Sequence, residues 1–334
     1  MMPARVRGGS DAPLVSVVVP VFNEEEGLPE LQRRIEEALG GIDGGHEVVY
    51  VDDGSTDGSA ALLEALALSR DDILLVRLSR NFGMEIAMSA GMDHARGEYV
   101  ALLHADLQDP PELIPEMLVR AGNGADVVYA RRIGRDESFL KRTLATAFYR
   151  LMERLARTPY QGQAGDFRLM SRRVVDAVCA MPERRRFLRG MVAWVGYEQV
   201  PIEYRRAGRH AGRGASYPAL IRLALEAIAS FSDVPLRLAS YLGVALSLLS
   251  VLLATVVLGL ALVGAVVAST EAWILIAVLF LGGAQLVSAG IIGRYLARVH
   301  DQSLGRPLYL VDRVVAVHGP PTVVPAAAAV SGER

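Results

Sequence analysis

Apolar positions between residues 14 and 130 fall into two alternating rhythms, short β-branched runs and stretches spaced by three or four. Residues 14–21 are valine-rich and predict a buried strand. Leu28, Leu31, Ile35 and Leu39 then follow at helical spacing. Residues 47–51 read as a second strand, 59–68 as a helix and 73–78 as a third strand. Residues 86–95 read as a helix with small residues on its packing face, and 99–103 and 127–130 complete the set of strands. Alternation of this kind implies a mainly parallel sheet with helices on both faces and ligands at the carboxyl edge of the strands.

The pattern changes towards the C-terminus. Residues 238–270 and 272–293 carry no charged side chain, and only Glu271 separates the two runs. A helix needs about 20 apolar residues to span a bilayer. The second run fits one span, and the first exceeds it, so 238–242 is expected at the interface or within the headgroups. A tight two-helix hairpin follows, with both flanks on one side. Arg205, Arg206, Arg209, Arg213, Arg222 and Arg237 precede it and Arg294, Arg298 and Arg306 follow, which by the positive-inside rule puts the N-terminal domain in the cytoplasm. The alternative is a buried helical pair in a soluble protein. Residues 217–231 place Leu220, Leu223, Ala224, Ala227, Ile228 and Phe231 on one helical face and read as an interfacial helix. Residues 139–155 are amphipathic too, for the interface or for packing on the first domain. The organisation expected is a disordered start at 1–12, a cytoplasmic α/β domain at 13–212, an interfacial helix at 213–237, two transmembrane helices at 238–293 and a cytoplasmic tail at 294–334, loosely ordered after Val311.

Composition narrows the chemistry. A chain of 334 residues holds one sizeable domain plus a smaller part, and a net charge of -2 with a pI near 6.3 makes no electrostatic case for a nucleic-acid partner. The single cysteine, Cys179, permits no intrachain disulfide and suits a reducing compartment. Neither G-x-x-x-x-G-K-[ST] nor G-x-G-x-x-G follows the first strand, so phosphate handles must be carboxylates and a metal. The stretch H-A-D-L-Q-D-P-P-E at 104–112 ends a strand. Read as extended, it projects His104, Asp106 and Gln108 to one side, where they could meet one hard cation. The plain alternative is a polar turn, with Asp106 or Asp109 capping a helix that opens at Pro110 and Pro111. Asp52 and Asp53 end another strand and could accept hydrogen bonds from a ribose or base. Asp57 reads first as a helix cap.

Taken together, P-V-F-N-E, V-D-D-G-S-T-D-G-S, L-S-R-N-F-G, A-D-L-Q-D-P-P-E, G-D-F-R-L-M-S-R-R and F-S-D-V-P-L-R resemble the polyprenyl-phosphate glycosyltransferases of family 2, over about residues 14–310. The resemblance implies a GT-A type catalytic domain and an inverting hexosyltransferase. The donor would be a nucleotide-sugar of the UDP-glucose or GDP-mannose class, with Mg2+ or Mn2+, and the acceptor a polyprenyl phosphate at the cytoplasmic face of a membrane. It places Pro20, Asn23, Glu24, Asp52, Asp53 and Arg80 around the nucleotide-sugar, Asp106 and Gln108 on the metal and diphosphate, and Arg132, Arg142 and Arg168 towards the phosphates. Asp166 falls in the acceptor-side G-D-F-R motif. His104 departs from the family, which usually carries an aspartate there. It either ligates, favouring Mn2+ over Mg2+, or packs against the neighbouring strand.

A phosphate monoester is already anionic near neutral pH, its second pKa being about 6, so Asp166 reads as an orienting group first and a proton acceptor second. A non-catalytic nucleotide-sugar sensor or scaffold is the alternative that His104 suggests, and a processive synthase is disfavoured by the lack of Q-x-x-R-W. Gly259, Gly264, Gly282, Gly283 and Gly290 could serve packing within the hairpin or between protomers of a homo-oligomer.

Overall fold

A computed structural model describes residues 12–132, 164–184, 186–204, 252, 255, 256 and 270–317. The chain divides into two compact units, Met1–Thr143 with Thr158–Arg213 and Arg306–Arg334, and Leu144–Arg157 with Gly214–Gly305.

In the first unit eight strands form one sheet. They are β1 (Val15–Val21), β2 (His46–Asp52), β3 (Ile73–Leu78), β4 (Tyr99–Leu102), β5 (Val127–Arg132), β6 (Ala164–Ser171), β7 (Gln199–Tyr204) and β8 (Val311–Val315). Their spatial order is β7-β5-β6-β4-β1-β2-β3-β8. The strands β3, β2, β1 and β4 are mutually parallel, while β6 runs antiparallel between β4 and β5, and β8 antiparallel on β3. Every residue of β1 is buried, which is why its sequence is continuously apolar rather than alternating.

The helices are α1 (Leu28–Leu39), α2 (Ser59–Ser69), α3 (Met84–His94), α4 (Ile114–Gly122), α5 (Arg172–Ala180) and α6 (Leu188–Val195), with a short 3-10 turn at Pro111–Leu113. On α1 the predicted stripe Leu28, Leu31, Ile35 and Leu39 is fully buried, and Pro29 opens the helix where its missing N–H costs nothing. The small-residue face of α3 lets the helix approach β1 closely. A Cβ on Gly91 would lie 2.2 Å from Val18 Cγ1, so any larger residue there forces the two apart.

Two expectations about the C-terminus change. Residues 311–315 are not loosely ordered but form β8, which satisfies the otherwise open edge of β3. Val315 is buried, the Tyr309 hydroxyl donates to Asp93 Oδ2 at 2.9 Å, and Arg313 pairs with Glu64 at 3.3 Å. In the second unit, Thr270–Ser303 is one helix, α7, so the helix continues ten residues beyond the end expected at Gly293. Ile274, Val278, Phe280, Ile292, Leu296 and Val299 are exposed on it. Among the described residues no helix is long and apolar enough to cross a membrane, and the two expected spans are not shown. The amphipathic stretches 139–155 and 217–231 lie outside the described residues.

Candidate active site

Loops from β1, β2, β3 and β4 meet at the carboxyl edge of the sheet. Pro20 lies within β1, buried and level with Val51 of β2. Asn23 takes a left-handed φ of 56°, a conformation asparagine tolerates better than most residues. Its amide donates to Ser55 Oγ at 3.1 Å and its Oδ1 accepts the Thr56 amide at 2.8 Å. Glu24 donates its amide to Ser59 Oγ at 3.0 Å, and Glu25 Oε2 accepts the Gly58 amide at 2.9 Å. Asp57 Oδ1 accepts the amide of Ser59, the first residue of α2, at 3.0 Å. The first two loops thus brace each other through neutral and charge-assisted hydrogen bonds to backbone.

The adjacent aspartates first shape the protein. Asp52 is fully buried, its Oδ1 accepts the Ser55 amide at 2.9 Å, and its Oδ2 lies 3.3 Å from Arg77 Nε. Asp53 accepts Phe82 and Gly83 amides, one on each oxygen, at 2.7 and 2.9 Å. Burial pushes its carboxyl up against the pull of those two amides. The same loops touch at Gly54, where φ is +75° and a Cβ would meet Asn81 N at 2.7 Å, so only glycine fits. Arg80 is exposed, with its guanidinium 4.0 Å from the centre of the Phe82 ring.

The segment after β4 departs from the extended path expected for it. The strand ends at Leu102 and the chain turns at Leu107, whose φ is 58° while its half-buried side chain packs against the core. A left-handed leucine costs roughly 1 kcal/mol, offset here by that packing. The turn separates side chains that alternation would have aligned. Asp106 Oδ1 accepts the Gln108 amide at 3.1 Å, whereas His104 points between two other carboxylates. Its Nδ1 lies 3.7 Å from Asp109 Oδ2 and its Nε2 3.6 Å from Asp166 Oδ2. Asp109 also accepts the Tyr204 hydroxyl at 2.7 Å. Among the described residues no three His, Cys, Asp or Glu side chains are assembled to hold a metal. The groups present do fit a hard cation that takes part of its shell from a phosphate. Asp106 offers carboxylate and Gln108 a buried amide oxygen for the cation, while the Gln108 Nε2, a donor with no hydrogen-bond partner, is left for a phosphate oxygen.

Asp166 reaches this place because β6 is antiparallel to β4. Leu102 pairs with Arg168, which sets Asp166, two residues earlier, beside His104, two residues later. Both Asp166 oxygens accept from Arg189, in the first turn of α6. Burial works to raise the Asp166 carboxyl, but the Arg189 guanidinium, helped by His104 and Arg168, holds it below the usual carboxylate range. Arg168 is itself buried and donates to the Gly165 and Asp166 carbonyls at 2.8 and 3.3 Å, contacts that tie it to its own strand. Arg132 ends β5, and Arg142 lies outside the described residues. Arg189 was missed in the sequence, where it stands after a run of three arginines, 184–186, that reads as surface charge; only its partner distinguishes it.

Comparison with known proteins identifies the family of the chain. Residues 16–179 match the Glycosyl transferase family 2 profile. An uncharacterized glycosyltransferase of Synechocystis is 43% identical over 89% of this chain and 94% of its own. A prophage bactoprenol glucosyl transferase homolog of Escherichia coli is 38% identical over 90% and 99%. The bactoprenol glucosyl transferase of Shigella phage SfV is 39% identical over 89% and 97%. Among solved structures, S. aureus TarS 1-349 with UDP-GlcNAc, at 16% identity over 65% of each chain and a TM-score of 0.46, is too remote to bear on the site. With identity of this extent along nearly the whole chain, the protein belongs to glycosyl transferase family 2 and is a transferase.

Proposed function

We propose that this protein moves one hexose from a nucleotide-sugar to a polyprenyl phosphate at the cytoplasmic face of a membrane, with inversion at C1. The observation that carries the reading is the Arg189 grip on Asp166. A carboxylate held below its usual range and engaged on both oxygens is a poor proton acceptor, which favours an acceptor that arrives as an anion. A lipid phosphate meets that condition, since its second pKa is about 6. The relatives named bactoprenol glucosyl transferase, matched over nearly their full length, support the same acceptor and favour glucose as the sugar.

Two anions must then be brought together. Asp106 and Gln108 would hold a divalent cation, Mg2+ or Mn2+, which neutralises the departing nucleoside diphosphate. Arg132, Arg142 and Arg168 are the arginines proposed to face the phosphates, with Arg168 turning from its carbonyl partners when an anion offers charge-assisted bonds. Pro20, Asn23, Glu24, Asp52, Asp53 and Arg80 are proposed to form the nucleotide-sugar side, the aspartates chiefly by fixing the shape of its loops. His104 is proposed to orient Asp109 and Asp166 rather than to ligate the cation, since its nitrogens face those carboxylates. The uncharged runs at 238–270 and 272–293, with the apolar side chains exposed along α7, support a membrane anchor that keeps the site near the lipid headgroup.

Full-length protein in nanodiscs, given undecaprenyl phosphate and Mn2+ or Mg2+, is expected to release UDP from UDP-glucose and form a glycolipid. Absence of turnover with UDP-glucose, GDP-mannose and the other common donors would refute the proposal.

A further inference from the structure

The amides that open α6 need an acceptor, and the residue before the helix, Phe187, supplies no side-chain cap. The acceptor comes instead from the other side of the fold. Glu85, in the first turn of α3, accepts the Leu188 amide on Oε2 at 3.0 Å across 103 residues of sequence. Leu188 is the first residue of α6 and Arg189 is the second. At the opposite end of the same connection, Asp53 accepts the Gly83 amide immediately before α3. A continuous path therefore runs from the second-strand aspartate through Gly83, Glu85 and Leu188 to Arg189 and Asp166. Burial pushes the Glu85 carboxyl up, with Asp166 adding to the rise and the Leu188 amide and Arg189 opposing it. A half-buried carboxylate whose oxygen takes the first amide of a helix far along the chain is placed there for what it holds.

We propose that Glu85 is a positioning residue for the transfer: by capping α6 it fixes where Arg189 holds the Asp166 carboxylate, linking the donor-side loops to the acceptor side. This rests on the acceptor-side role of Asp166 proposed above. The cap requires an oxygen acceptor at the end of the side chain, not a negative charge. Glutamine retains that oxygen, whereas methionine fills similar space without it.

The test compares E85Q and E85M with the wild type in the nanodisc assay, reading kcat, donor KM and the thermal shift on adding UDP. E85Q is expected to keep kcat within about threefold. E85M is expected to lose about tenfold or more in kcat, because a displacement of about 1 Å at a reacting group can cost 10²-fold, while donor KM and the UDP shift stay close to wild type. Equal kcat in the two variants overturns the proposal, as does an E85Q loss as large as that of E85M. A change confined to donor KM also overturns it. Should E85M not fold, E85D takes its place, since a side chain one methylene shorter cannot reach Leu188 in the same way. A wild-type enzyme that transfers nothing to lipid phosphate counts against the proposed function, whereas one that turns over beside an unaffected E85M counts against Glu85 alone.

Discussion

The loops after β1, β2 and β3 and the elements around Asp166 share one edge of one sheet, yet they are held by different forces. The first group is knit by side-chain oxygens on backbone amides, Asn23 on Thr56, Asp52 on Ser55 and Asp53 on Phe82 and Gly83. Around Asp166, at the same edge, the ties are arginine–carboxylate pairs, Arg189 with Asp166 and Arg131 with Glu203. Hydrogen bonds to backbone set a shape and tolerate many substrates within it. Ion pairs set a charge, and a buried carboxylate that loses its cation changes chemistry as well as position. The donor side is therefore a preformed mould, and the acceptor side an electrostatic setting.

The largest effect expected from that difference comes from the ion pair. D166A and R189A should each lower lipid-phosphate glucosylation about 100-fold or more, measured as UDP release. R189A should also destabilise the first unit by roughly 2 kcal/mol in urea, a figure discounted for the partly exposed guanidinium. R189K should rescue little, because a point charge cannot make the two-pronged contact. If R189A retained full activity, the electrostatic account of this side would fail.

Next in size is Asp106. With no preassembled trio of ligands among the described residues, Mn2+ is expected to bind tightly only together with UDP. Electron paramagnetic resonance should show bound Mn2+ in the ternary mixture, little without nucleotide, and none of the UDP-dependent signal in D106A. Tight Mn2+ binding to the protein alone would break this expectation.

On the donor side, D53A leaves two amides without acceptors and is expected to cost roughly 2 kcal/mol of stability and raise donor KM several-fold, with kcat less affected. A purely kcat effect would blur the distinction drawn here. The smallest effect concerns pH. Because burial raises Glu85, the folded protein keeps that proton at a pH where the unfolded chain has released it. Lowering the pH towards the ordinary glutamate value of 4.5 therefore favours the folded state through this group, and the gain is lost as pH rises through its folded pKa. E85Q should flatten that part of the stability profile, read by urea unfolding across the pH range. Asp166 acts oppositely: its stabilising share is present above the unfolded carboxylate pKa near 3.9 and fades only in stronger acid.

Legibility in the sequence follows the same division. Strands β1 to β5 and helices α1 to α3 were readable within a residue or two, because each is buried on a local apolar period that needs no partner to be seen. β6 escaped because Asp166 and Arg168 interrupt its apolar pattern, and both are buried only by virtue of contacts made elsewhere. β8 escaped because a five-residue V-D-R-V-V becomes a strand only when the edge of β3 is there to pair with it. The alternation expected of His104, Asp106 and Gln108 failed at Leu107, where packing of one side chain turned the backbone.

The sequence by itself determined a mainly parallel α/β sheet, the position of its carboxyl-edge loops and the family to which they point, since these depend on periodicity and on motifs confined to single loops. Only the tertiary structure decided that Arg189 holds Asp166, that Glu85 caps α6, and that His104 faces carboxylates rather than Asp106. Those contacts join residues brought together by the antiparallel insertion of β6 and by the hydrogen bond from the start of α6 to Glu85 of α3, and no local pattern encodes a partner that is distant along the chain.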